Sequence, residues 1–144
     1  MWAFRLDFTC LPQYNPDVSG IARVADGSGV GGALGPGARY AFRLADPRQA
    51  DQTHPVELWV EAAVEPTLVS AGMRGGHEAY EEFVVQPLPA GGCEATLTLW
   101  VDFPEAFNAA VREAAAAASL TQIDKELRLM KEILEGRPQG ASLH

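Results

Sequence analysis

Few residues in this chain have the type and spacing to do chemistry. His77 and Arg74 flank the turn R-G-G-H, where a cationic or imidazole group at a cavity mouth could polarise a carbonyl. Otherwise they are solvated turn residues. Glu81, in E-A-Y-E-E-F-V-V-Q, and Tyr40, in A-R-Y-A-F-R-L-A, could pass a proton if they face a dry interior. His54 precedes a proline in a polar loop. No Ser-His-Asp or Cys-His arrangement can be built from spacing. Cys10 and Cys93 are the two cysteines, and neither has neighbours that lower a thiol pKa. Nothing has metal-ligand spacing, so no metal and no cofactor is expected. Gly27, Gly29 and Gly32 spell G-x-G-x-x-G. A dinucleotide site needs that motif between a strand and a helix. Here Gly35, Pro36, Gly37 and a strand pattern follow, which makes it a hairpin loop.

The 144 residues suit one domain, and 47% of them are apolar, enough for a core. A net charge of −8 argues against a phosphate-binding surface, so no nucleic-acid partner is expected. Two cysteines do not make a disulfide scaffold. There is no signal-peptide pattern and no apolar run long enough to span a membrane. A cytoplasmic location is the expectation, and the high Ala and Gly content fits a GC-rich bacterial genome.

Residues 2–8 can form one or two helical turns before Pro12 and Pro16 restrict the backbone. Strands are expected at 18–25, 38–45, 56–65, 67–73, 78–86 and 93–103, with 46–55 as a polar turn region. In 38–45, Tyr40, Phe42 and Leu44 share a face. In 56–65 the shared face is Val56, Leu58, Val60, Ala62 and Val64, with Trp59 among glutamates on the other. In 93–103, Ala95, Leu97, Leu99 and Val101 alternate with Glu94, Thr96, Thr98 and Trp100. After Pro104 the period becomes helical, with apolar residues at Phe107, Val111, Ala114, Ala118, Ile123, Leu127, Met130 and Leu134. Pro104 and Glu105 suit its first turn, Gly136 and Pro138 its end, and Ser119–Thr121 a break. A sheet with one apolar face needs a cover, and this helix is the large one available.

Four stretches, in this order, resemble the START-like superfamily of polyketide cyclase/dehydrase and lipid-transport proteins, whose fold is that of the birch pollen allergen. W-A-F-R-L-D-F-T-C-L-P-Q-Y-N-P-D-V-S-G is similar to the family's helix and aromatic–Asn–Pro loop. G-P-G-A-R-Y-A-F-R-L is similar to its glycine turn and third strand. V-V-Q-P-L-P-A-G-G-C-E-A-T-L-T-L-W-V-D-F-P is similar to its last hairpin. I-D-K-E-L-R-L-M-K-E-I-L-E-G is similar to the end of its C-terminal helix.

The resemblance implies an α+β helix grip: a curved antiparallel sheet around a long C-terminal helix, with a hydrophobic cavity between them, in one domain over 1–136 and a frayed tail at 137–144. Phe83 and Val85 match the family's inward positions, so parity sends Glu81 inward too. The implied ligand-lining residues are Tyr14, Tyr40, Phe42, Leu58, Met73, Glu81, Phe83, Leu97, Leu99 and Val111. The implied function is binding of a polyketide, lipid or aromatic metabolite. Two alternatives stay open: a cyclase or aromatase using Glu81, His77 or Tyr40, and a protein-interaction subunit. The family opens with a strand that pairs beside the last one, and here the similarity starts at Trp2. The expectation is that such a strand lies upstream, and that strand 93–103 otherwise has a free edge suited to a homodimer.

Overall fold

The computed structural model describes residues 1–46, 49–75, 78–103 and 107–136. Two short helices come first, α1 (Trp2–Leu6) and α2 (Leu11–Tyr14), joined by a 3-10 turn at Phe8–Cys10. Pro12 fits the first turn of α2, where its missing N–H is not needed. Pro16 disfavours a helical Asn15, which is extended and ends α2.

Six strands follow: β1 (Val18–Ala25), β2 (Arg39–Asp46), β3 (Gln49–Val64), β4 (Leu68–Arg74), β5 (Glu78–Pro87) and β6 (Cys93–Asp102). They form one curved antiparallel sheet in sequential order, so each strand lies beside its neighbours in the chain. Helix α3 (Ala109–Leu134) closes the order. This is the helix-grip architecture expected above. No helix among the described residues is long and apolar enough to cross a membrane.

Alternation decides which side chains go in. Tyr40, Phe42, Val56, Leu58, Val60, Val69, Ala71, Phe83 and Val85 are buried on the inner face. Trp2, Leu6, Phe8, Leu11 and Tyr14 of the N-terminal segment join them. The Trp2 indole donates to the Leu68 carbonyl at 2.7 Å, tying α1 to β4.

Four expectations are corrected. The stretch 46–55 is not mainly a turn: β3 begins at Gln49 and pairs with β2 through Ala45↔Thr53 and, past a register shift, Asp46↔Gln49. Ala62 and Val64 do not share the face of Val60. The β3–β4 register shifts between Val60 and Ala62, inserting one extra residue, and inward parity passes to Ala63 while Val64 is exposed. Helix α3 is described from Ala109; Pro104 and Glu105, expected in its first turn, lie outside the described residues. Its cap is Asn108, whose Oδ1 accepts from the Val111 N–H at 2.9 Å. The helix also runs unbroken through Ser119–Thr121, where the Thr121 hydroxyl donates back to the Ala117 carbonyl at 3.1 Å instead of capping a new helix.

The glycine motif is a folded loop. A Cβ on Gly27 would lie 2.1 Å from the Gly35 carbonyl oxygen, and one on Gly35 would lie 2.1 Å from the Val30 carbonyl oxygen. The two glycines let backbone meet backbone, which a side chain would prevent. Gly27→Ala is therefore expected to lower stability by about 1–3 kcal/mol, read from chemical denaturation midpoints.

Candidate functional site

The inner face carries a cluster of charged and polar groups where an apolar core would be expected. Arg5 on α1 is 1% exposed. Its Nη2 donates to Glu81 Oε1 on β5, and its Nη1 donates to the Tyr14 hydroxyl at 3.1 Å. The guanidinium carbon stands 5.3, 5.4 and 5.5 Å from the ring centroids of Phe8, Tyr14 and Phe83. Three aromatic rings thus surround the cation with their electron-rich groups. Register sets Ala71 and Leu99 on either side of Glu81, so the carboxylate emerges from the floor of the sheet.

A second carboxyl comes from α3. Glu126 is buried and accepts from Asn15 Nδ2 at 3.2 Å. Asn15 is itself fixed, since its Oδ1 accepts from the Asp17 N–H at 3.1 Å. Elements far apart in sequence therefore meet here: α1, the end of α2, β5 and the C-terminal half of α3.

The electrostatics separate the members. Burial pushes the Glu126 carboxyl up to about 7; Glu81 adds to this, while Arg5 and the Asn15 hydrogen bond oppose it. Burial raises the Tyr14 phenol to about 12, with Arg5 opposing. Burial disfavours the Arg5 charge, but Glu81, Tyr14 and Glu126 outweigh it, and the guanidinium pKa is raised. The cluster sets a buried cation against Glu81, with the Glu126 carboxyl, raised to about 7, near enough to feel its charge. It can hold a polar group or move a proton at Glu126.

Of the residues implied by sequence, Glu81, Tyr14 and Phe83 meet in this cluster. Tyr40 is buried one ring further out, 5.6 Å from Phe8, which itself faces Arg5. Burial raises its phenol, with Asp7 adding to the effect. Phe42 and Leu58 are buried, and Met73, Leu97 and Leu99 are half-buried on the inner face. Val111 sits on the exposed first turn of α3, and His77 lies outside the described residues. Sequence reasoning missed Arg5, Asn15 and Glu126. Glu126 stands four residues before Met130, whose side chain is fully buried, and that spacing was the available signal.

No protein-family model matches the chain, and no curated protein matches its sequence. Solved structures do match. Ara h 8.0201, of the birch-pollen-allergen-like fold, aligns at 13% identity with a TM-score of 0.58, covering 90% of this chain and 88% of its own. The fold is the START-like helix grip. A structural-genomics protein from Rhodobacter sphaeroides aligns at 19% identity with a TM-score of 0.61, covering 94% of this chain and 83% of its own. Likeness at this identity concerns the fold and leaves the chemistry to the residues. On the helix grip of this chain, the Arg5–Glu81–Glu126 cluster links α1 and the end of α2 to β5 on one side and to the C-terminal half of α3 on the other.

Proposed function

We propose that this protein binds a small hydrophobic molecule, of polyketide, lipid or aromatic-metabolite class, between the inner face of the sheet and α3. The observation that carries this reading is an apolar face that the protein itself covers only in part. Leu97, Leu99 and Val101 on β6 are only half-buried. The first half of α3 offers Val111 and an alanine run, exposed except at the half-buried Ala115. Alanines leave volume that larger side chains would occupy. The buried polar cluster closes one end of this region and supplies partners for a ligand's polar group.

Flat aromatic or fatty-acyl compounds are expected to raise the melting temperature. At a hundredfold excess over Kd the gain is about 2.7 kcal/mol. Leu97→Trp fills the space and is expected to weaken binding at least about tenfold, or ~1.4 kcal/mol, in a protein that stays folded. A panel of such compounds that shifts neither melting nor Trp fluorescence at high micromolar concentration would overturn the reading.

A second reading, proton-transfer chemistry of the cyclase type on the bound molecule, is favoured by one observation. Glu126 is a buried carboxyl raised to about 7, the range suited to a general acid or base. Turnover lost in Glu126→Gln with binding retained would support it.

The sheet edge supports a separate proposal about assembly. Strand β6 pairs with β5 alone among the described residues, so one side of its backbone is unpaired. We propose that a second copy pairs there. Sedimentation is expected to show a concentration-dependent dimer that Thr98→Lys shifts to monomer. A monomer at every concentration contradicts this.

A further inference from the structure

The outer face of the sheet carries another arrangement, independent of the inner cluster. Register places Trp59, Gly72, Tyr80 and Trp100 side by side in one row across β3, β4, β5 and β6. Gly72 makes the row possible. A Cβ there would come within 2.4 Å of the Trp59 ring, so the indole lies on bare backbone. The Tyr80 and Trp100 rings are 5.3 Å apart, and Trp100 remains 50% exposed. The row is part of an open cleft of about 410 Å³ that is also lined by Glu61, Glu78 and Asp102.

Both components of this surface attract the same kind of group. Aromatic faces draw cations through their quadrupoles, and carboxylates draw them by charge. The chain's own Arg74 demonstrates the match: its guanidinium stands 5.7 Å from the Trp59 ring centroid and pairs with Glu78 at 3.2 Å. Arg39 pairs with Glu57 at 3.0 Å, and Glu61 accepts from the Trp59 indole at 2.9 Å. Asp102 has no ion-pair partner among the described residues, and the exposed face of Trp100 lies in the neighbouring row position. One position in the row is thus filled by an internal arginine, and the equivalent position at its β6 end is open.

We propose that this cleft docks a lysine- or arginine-bearing segment of a partner protein, with the cationic head over Trp100 and beside Asp102. The open shape favours an extended segment, since a free small molecule needs enclosure over most of its surface. The net charge of −8 steers such a basic partner towards the chain.

The test is calorimetric titration with a short peptide of alternating Gly and Arg, its Gly–Glu counterpart, and free arginine. Expected is saturable binding of the arginine peptide that weakens with salt, with no binding of the glutamate peptide. Free arginine is expected to bind much more weakly. Trp100→Ala removes a half-exposed side chain and is expected to weaken the arginine peptide roughly tenfold, with Trp100→Phe restoring part of the loss. Asp102→Asn is expected to weaken it several-fold. Melting curves of each variant confirm folding. Undiminished peptide binding in Trp100→Ala would mean diffuse charge attraction and overturn the proposal. Free arginine binding as tightly as the peptide would overturn the assignment to a protein partner, and no binding at all would overturn the site.

Discussion

Replacing Arg5 with Met is expected to destabilise the fold by about 3–5 kcal/mol, the range for removing one partner of a buried ion pair. Arg5 is the cation that Glu81 meets, and the Tyr14 hydroxyl accepts from it at 3.1 Å. Methionine approximates the volume of the stem but leaves Glu81 buried without the cation it meets. Arg5→Lys is not expected to restore the loss, because an ammonium lacks the planar fork that reaches Glu81 and Tyr14 together. The double variant Arg5→Met/Glu81→Leu is expected to be more stable than Arg5→Met alone, since apolar packing replaces an uncompensated charge. Denaturation midpoints check this. Strictly additive single-variant losses would show that the two side chains do not form a coupled pair.

The second large effect is a pH dependence carried by Glu126. Its carboxyl is raised from 4.5 to about 7 in the folded chain, mainly by burial. Between those values the folded state holds a proton that the unfolded state has released. Stability therefore falls as pH rises through that window and is level above it. A shift of this size corresponds to about 3 kcal/mol at 1.36 kcal/mol per unit. Glu126→Gln keeps an oxygen for Asn15 Nδ2 and removes the titration. The variant is expected to match the parent near pH 4.5 and to exceed it by roughly that amount near pH 8. Melting across this range gives the comparison, and parallel curves for the two proteins would contradict the assignment.

These two residues also show where sequence reasoning stops. Strand faces were legible because alternation is local: Tyr40 and Phe42 go in, Trp59 and Trp100 lie on the outer side. Glu81 was legible as inward from its parity with Phe83 and Val85. Its partner was not, because Arg5 precedes it by 76 positions and belongs to a helix of five residues. Helical periodicity marks apolar positions, so a buried glutamate such as Glu126 is read as a solvated one. The β3 bulge was hidden for a related reason: Ala62 and Ala63 are both apolar, and the alternation does not show which one turns inward. Asn108 was passed over as cap because Pro104 offered an earlier start. For Arg5, Glu126 and the bulge the decisive term is a contact between separate segments, whereas the Asn108 cap is a local choice between two helix starts.

The proposed hydrophobic ligand would lie between β6 and α3 with its polar end at the Arg5–Glu81–Glu126 cluster. Amide and methyl NMR shifts, followed during titration with a flat aromatic and a fatty-acyl compound, test this placement most directly. Expected are saturable shifts concentrated at Leu97, Leu99, Glu81, Glu126 and Leu127, with the Trp59 and Trp100 indoles unmoved. Saturable shifts confined to the outer face, or no shifts from either compound at high micromolar concentration, would contradict it.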